Sequence, residues 1–281
     1  MRARVPASSA NLGPGFDTLA VALSLYVEVE IGPADSFSIS TTGEGAGRFD
    51  DESHLAAQIA AEHLGHHRFS LRVHSDIPLS RGLGSSAALA VAAAAAVGHP
   101  SPLAVGTRVD GHAENAAASV RGGLVVAAVD GDDITVRPLP LDPVWRFVVV
   151  IPEQELATAD ARAVLPSNVP FRDAVHNLTA LGLLVSGLAD HGAFARGAMD
   201  DYLHQPYRGK LLPFAEPLLA RLREAGAAGS CWSGAGSTML GLATLERAGD
   251  VAGAASSFLN EHGVPGVVRI LEADGQGLRT W

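Results

Sequence analysis

Apolar and polar residues alternate with a period of two across residues 22–33 (ALSLYVEVEIGP), the pattern of a half-buried strand. Residues 36–45 (SFSISTTGEG) repeat the alternation, end in a glycine turn and read as the strand that pairs with it. The period then changes. Residues 50–65 (DDESHLAAQIAAEHLG) begin with acids, carry apolar residues at helical spacing and stop at glycine, which predicts a helix. Residues 68–78 (RFSLRVHSDIP) predict a strand, followed by a loop and helix over 80–98 (SRGLGSSAALAVAAAAAVG). The segment 122–139 predicts a hairpin turning at DGDD, and 142–153 a β-branched strand that opens a second unit. Helices are expected at 157–165, 172–190, 213–226 and 246–262, a strand–loop–helix over 229–243, and a last strand from GVVRILEAD. Strands and helices mixed without a strict βα repeat indicate an α+β protein rather than a doubly wound sheet. At 281 residues, two domains are expected, 1–142 and 143–281.

Composition narrows this picture. With 47% hydrophobic and 18% charged residues the chain suits a packed globule, and no apolar run has the length of a membrane span. The N-terminus lacks the apolar core of a secretory leader. The single cysteine, Cys231, excludes an intrachain disulfide, so a cytoplasmic location is the expectation. A formal net charge of −10 argues against nucleic acid or an anionic membrane as partner.

Residues 80–86 place two glycines and three serines ahead of an uncharged, alanine-rich helix. A helix N-terminus leaves backbone N–H groups unpaired and carries a partial positive charge. Gly82 and Gly84 allow positive φ and close approach of a ligand to the backbone, and together these features form a phosphate cradle. No lysine follows, so the loop is not a Walker A motif, and GLGSSA does not fit the dinucleotide fingerprint. On the glycines alone, a serine-capped core helix after a tight turn fits equally well.

The longer string PLSRGLGSSAA, residues 78–88, resembles the second motif of the GHMP small-molecule kinases. VPASSANLGPGFDTLAVAL (5–23) and WSGAGSTML (232–240) resemble that superfamily's other two motifs, in the same order. Within it the homoserine kinase family is most similar, through PASSANLGPGFDTL, GEGA (43–46), DGHAENAAASVRGGLVVA (110–127), LATADARAVLP (156–166) and LHQPYRGKLLP (203–213). The resemblance implies an N-terminal α+β domain carrying the phosphate loop and a ferredoxin-like C-terminal domain. It implies transfer of phosphate from ATP, with Mg²⁺, to the hydroxyl of L-homoserine, a step in threonine biosynthesis. It also allows a homodimer.

The same resemblance implies roles for individual residues. Pro78, Leu79, Ser80, Arg81, Gly82, Leu83, Gly84, Ser85, Ser86, Ala87 and Ala88 form the ATP loop, and Ser85 or Ser86 with Asp110 would hold Mg²⁺. Asn11, Asp17, His112, Glu114, Arg162 and Arg208 would bind the amino acid, Asp17 and Glu114 facing its ammonium and Arg208 its carboxylate. Asn115 and Arg162 would orient the hydroxyl, and no side chain is implied as a dedicated general base. Taken singly, each residue has a plainer reading: Asn11 and Asp17 as formers of the Gly-Pro-Gly turn, Asp110 as a loop acid, Arg162 as a salt-bridged surface residue. The region around His54 is a weak pointer toward adenine.

Several residues depart from the family pattern. HAEN stands for H-P-D-N, DGH for E-G-H, and Ser237 for a proline, which should loosen that turn. The segment before His112 is short and is expected to lack most of a helix. Two other readings therefore stay open: a related kinase acting on another small amino alcohol, and a catalytically silent homologue that binds nucleotide or amino acid.

Overall fold

The computed structural model describes residues 1–281. Strands β1 (Arg2–Asn11) and β2 (Gly15–Pro33) run antiparallel around a tight turn at 12–14. Val27, Val29 and Ile31 face the core while Glu28 and Glu30 stay half-exposed, as the two-residue period requires. β3 (Ser38–Gly43) does not pair with β2 as the sequence suggested. It lies parallel to β4 (Phe69–Ser75), which pairs with the second half of β2. The reason is the helix α1 (Leu55–Leu64) between them: a parallel pair needs a crossover, and the glycines at 43–47 lead into it instead of turning back. The acids at 50–52 precede α1 and lie outside its first turn.

The first part of β2 pairs with β5 (Leu124–Asp130), which turns into β6 (Asp133–Leu139) as the DGDD hairpin predicted. Helices α2 (Ser85–Ala96) and α4 (Glu114–Arg121) pack on this sheet, and α3 (Pro102–Asp110) packs against both of them. The expected loss of a helix before His112 does not occur, because α3 fills that segment with Ser101 as cap and Pro102 at its first position. The alanines of α2 are all buried, and their small side chains let α1, α3 and β1 lie close around it.

A second sheet holds β7 (Trp145–Pro152), β8 (Gly229–Trp232), β9 (Met239–Thr244) and β10 (Gly266–Leu271) in the order β10-β7-β9-β8. The strand–loop–helix expected at 229–243 is thus a strand–loop–strand. MLGLA (239–243) is a short, fully buried apolar run, where periodicity does not separate strand from helix. α5 (Thr158–Ala163), the long α6 (Phe171–Ala189), α7 (Gln205–Arg208), α8 (Ala215–Glu224) and α9 (Ala248–Glu261) complete the chain's helices. β7 serves two cores: Phe147, Val149 and Ile151 join the apolar cluster of the large sheet, while Val148 and Val150 pack with α8 and α9. After β10 the chain recrosses, and β11 (Arg279–Thr280) pairs with β1. No helix is long and apolar enough to cross a membrane.

Candidate active site

The loop at 80–86 is shaped by what holds its carbonyls. Those of Ser80, Arg81 and Leu83 accept from the backbone N–H groups of Leu156, Thr238 and Ser8 at 3.1 Å each. That of Gly82 accepts from Ser233 Oγ at 2.7 Å, and that of Gly84 from Ala88 N–H. With the carbonyls engaged, no backbone N–H from 82 to 86 finds an acceptor within the protein. Gly84 is the N-cap of α2, left-handed at φ 66° with no side-chain cap, so the helix end is open. A Cβ at Gly82 would lie 2.1 Å from the Ser233 carbonyl, and one at Gly84 2.1 Å from Ser8 Oγ. Both close approaches require glycine.

These groups open on a cleft of ≈ 280 Å³ lined by Ser80, Arg81, Gly82, Gly84, Ser85 and Ser86 from the loop. Asn11, Asp17, Asp110, His112, Glu114, Asn115, Arg162 and Arg208 line it too. Pro78, Leu79, Leu83, Ala87 and Ala88 do not reach it, and the last three belong to the core. Arg81 contributes to the lining while its guanidinium is held on the carbonyls of Leu79, Pro152 and Glu153. It anchors the loop to the end of β7.

The turn between α3 and α4 gathers the acids. Glu114, the first residue of α4, is buried, and neither of its oxygens has an aligned donor in the protein. His112 Nδ1 sits 2.6 Å from Glu114 Oε1, a close but poorly aligned ion pair. Burial alone would lower the His112 pKa, but Glu114, with Asp110 and Asp17 behind it, outweighs that and raises it. Burial, with the Glu114 charge added, pushes Asp110 up to about 6. Ligand atoms of Asp17, His112 and Glu114 all lie within 4.8 Å of one another. Asn115 Oδ1 accepts from Ser8 Oγ at 2.9 Å, and its side chain also lies against Asp110, opposing the burial that raises that carboxyl.

Asn11 does what its plainer reading proposed. At φ 72° it closes the turn, its Nδ2 donating to the Gly234 carbonyl at 2.9 Å and its Oδ1 accepting from Asp17 N–H at 3.0 Å. Asp17 and Arg162 form a two-pronged pair at 2.6 and 3.0 Å, which holds the guanidinium above its usual range. Arg208 is buried, with Nε on the Ala161 carbonyl at 3.1 Å and Nη1 on the Gly234 carbonyl at 3.0 Å. Burial and then the neighbouring Arg162 lower it to about 10. Both guanidinium carbons lie 5.5 Å from the Phe16 ring centre.

Residues 53–131 match the model of the GHMP kinases N terminal domain, and residues 172–261 that of the GHMP kinases C terminal domain. Homoserine kinase of Carboxydothermus hydrogenoformans is 38% identical over 274 residues, covering 91% of this chain and 89% of that protein. That of Cutibacterium acnes is 40% identical, over 89% of this chain and 92% of the other. The chain belongs to the homoserine kinase family of GHMP kinases. The crystal structure of the Cytophaga hutchinsonii homoserine kinase superposes with a TM-score of 0.86 at 26% identity, covering 99% of this chain and 96% of that one.

For a member of the homoserine kinase family, the departures read differently once their surroundings are known. Ser237 does not loosen its turn: it is buried, and its hydroxyl donates to the Gln154 carbonyl, a bond proline cannot make. Thr158, Phe16 and His204 are cleft or supporting residues that the sequence did not single out. Thr158 directly follows LA in the quoted LATADARAVLP stretch, a signal that was present in the sequence. Phe16 and His204 also lie in quoted stretches, PASSANLGPGFDTL and LHQPYRGKLLP, but their roles depend on contacts between distant segments.

Proposed function

We propose that this chain transfers the γ-phosphate of ATP to the hydroxyl of L-homoserine, giving O-phospho-L-homoserine and ADP. The observation that carries the reading is a pairing within one cleft. A row of N–H groups without acceptors faces the same space as the buried Glu114 carboxylate, which has His112 beside it but no aligned donor. The first suits phosphate and the second suits an ammonium, which is the charge pattern of ATP beside an amino acid.

Backbone N–H groups at 82–86 would hold the β- and γ-phosphates, where the open end of α2 favours negative charge. Ser85 and Ser86, whose hydroxyls have no partner in the protein, and Asp110 across the cleft fit an oxygen-loving divalent ion. Bound there, Mg²⁺ would neutralise charge on the transferred group. Glu114 and Asp17 would take the acceptor's ammonium, so substrate entry exchanges the Asp17–Arg162 pair for contacts with the amino acid. Arg208 would take the carboxylate through Nη2, its one nitrogen without a protein acceptor. Asn115 and the released Arg162 would aim the hydroxyl at the phosphate. No side chain is assigned the acceptor's proton, which leaves with the transferred phosphoryl group. A homodimer belongs to the same proposal and is tested by light scattering in solution.

The test is ADP release with Mg²⁺ and ATP, compared across L-homoserine, L-threonine, L-serine and mevalonate. The expected result is turnover with L-homoserine at the highest kcat/KM. Preference for another acceptor would reassign the substrate, and no turnover on any would overturn the enzyme reading.

A further inference from the structure

His204 lies immediately before α7, has no exposed surface, and sits between the first motif and Arg208. Its Nδ1 is 3.0 Å from Arg208 Nη1 and its Nε2 is 2.9 Å from the Gly13 carbonyl oxygen. A guanidinium only donates, so Nδ1 must be the bare, accepting nitrogen. Nε2 then carries the hydrogen and donates it to Gly13. One tautomer satisfies both partners. The ring is also held from other sides. It stacks on Phe16 with centroids 5.1 Å apart, and the same Phe16 ring faces Arg162 and Arg208. Asp201 Oδ2 accepts the backbone N–H groups of His204 and Gln205 at 3.0 and 2.7 Å, while Asn177 Nδ2 donates to Asp201 Oδ1 at 2.9 Å.

The consequence falls on Arg208. Nε is used on Ala161, and Nη1 is used twice, on Gly234 and on His204. Two carbonyls alone leave one Nη1 hydrogen free and the plane able to tilt; the third acceptor removes that freedom. We propose that His204 is a positioning residue, which ties the turn at 12–14 to Arg208 and fixes the guanidinium so that Nη2 faces the acceptor's carboxylate. This rests on the reading of Arg208 given above. A histidine that only filled the core would affect stability, and would slow every acceptor alike. A positioning histidine affects acceptors that carry a carboxylate more than those that do not.

The experiment compares kcat/KM for L-homoserine with that for 3-aminopropan-1-ol, the same amino alcohol without its carboxylate, at saturating ATP. It uses the wild-type chain, His204→Phe, His204→Asn and Arg208→Met. Arg208→Met should abolish the preference for the carboxylate. His204→Phe keeps a ring on Phe16 but removes both hydrogen bonds. It should lower the preference about tenfold or more, chiefly through KM for L-homoserine, with KM for ATP within about twofold. His204→Asn offers Oδ1 to Arg208 and should recover most of it. If Arg208→Met removes the preference and His204→Phe leaves it within about twofold, His204 is packing alone and the proposal is overturned. If Arg208→Met leaves it intact, the carboxylate reading fails and the proposal falls with it. A further measurement needs no functional variant: ¹⁵N spectra of the wild-type chain at neutral pH should show His204 neutral with hydrogen on Nε2. A hydrogen on Nδ1 overturns the proposal.

Discussion

Replacing Gly84 by alanine puts a methyl group where the loop at 80–86 has no room for one. The residue sits at φ 66°, a conformation that costs a side-chain-bearing residue about 1–2 kcal/mol. The new Cβ would lie 2.1 Å from Ser8 Oγ and 3.1 Å from Asn115 Oδ1. Ser8 must then rotate away, breaking its 2.9 Å bond to Asn115 Oδ1 in a buried position. Leaving that oxygen unpaired costs about 1–3 kcal/mol more. The expected total is about 2–5 kcal/mol, a large share of the roughly 5–15 kcal/mol that holds a typical domain together. Urea unfolding measures it, and KM for ATP should rise in parallel as the open end of α2 and the Asn115 amide shift together. Ser8→Ala makes the reasoning specific. That variant removes the obstructing hydroxyl, so the double variant should be more stable than the two single costs predict by at least about 1 kcal/mol. Costs that add to within about 0.5 kcal/mol would refute the steric account. So would a Gly84→Ala protein that loses under about 1 kcal/mol and keeps its KM for ATP.

Asp17→Asn should reduce kcat/KM for L-homoserine about 10–100-fold through lost charge-assisted contact with the ammonium, leaving KM for ATP nearly unchanged in initial-rate assays. Asp110→Asn should raise the Mg²⁺ concentration needed for half-maximal rate, measured by Mg²⁺ titration at fixed ATP; an unchanged titration removes Asp110 from the metal site. Burial holds the His204 pKa down at about 4 against an ordinary 6.5. The unfolded chain therefore binds a proton that the folded chain refuses between those values. Stability from this group is complete above pH 6.5 and falls by up to about 3 kcal/mol as pH drops toward 4. Urea unfolding at pH 7.5, 6 and 5 should show a decline that is shallower in His204→Asn; equal slopes would count against it. Ser237→Ala should cost about 1–2 kcal/mol by leaving the Gln154 carbonyl unpaired, read as a lower midpoint in thermal melts.

Local pattern was enough wherever the chain's own period set the outcome. The alternation in β2, the DGDD hairpin and the alanine helix after GLGSS are each decided by residues within a few positions of one another. The open, glycine-flanked end of α2 was legible for the same reason, since an uncapped helix N-terminus and its glycines are consecutive in sequence. Tertiary structure decided what depends on segments far apart. Whether 239–244 is strand or helix turned on β7 and β8 lying beside it. β3 joined β4 because α1 carries the chain across. Asn11 is consumed by Gly234, Asp17 is matched with Arg162, and Arg208 is held through His204 to Gly13. A sequence names the groups that could make such contacts. Only the closed chain decides which buried donor meets which acceptor, because each must find a partner among whatever packing brings within about 3 Å.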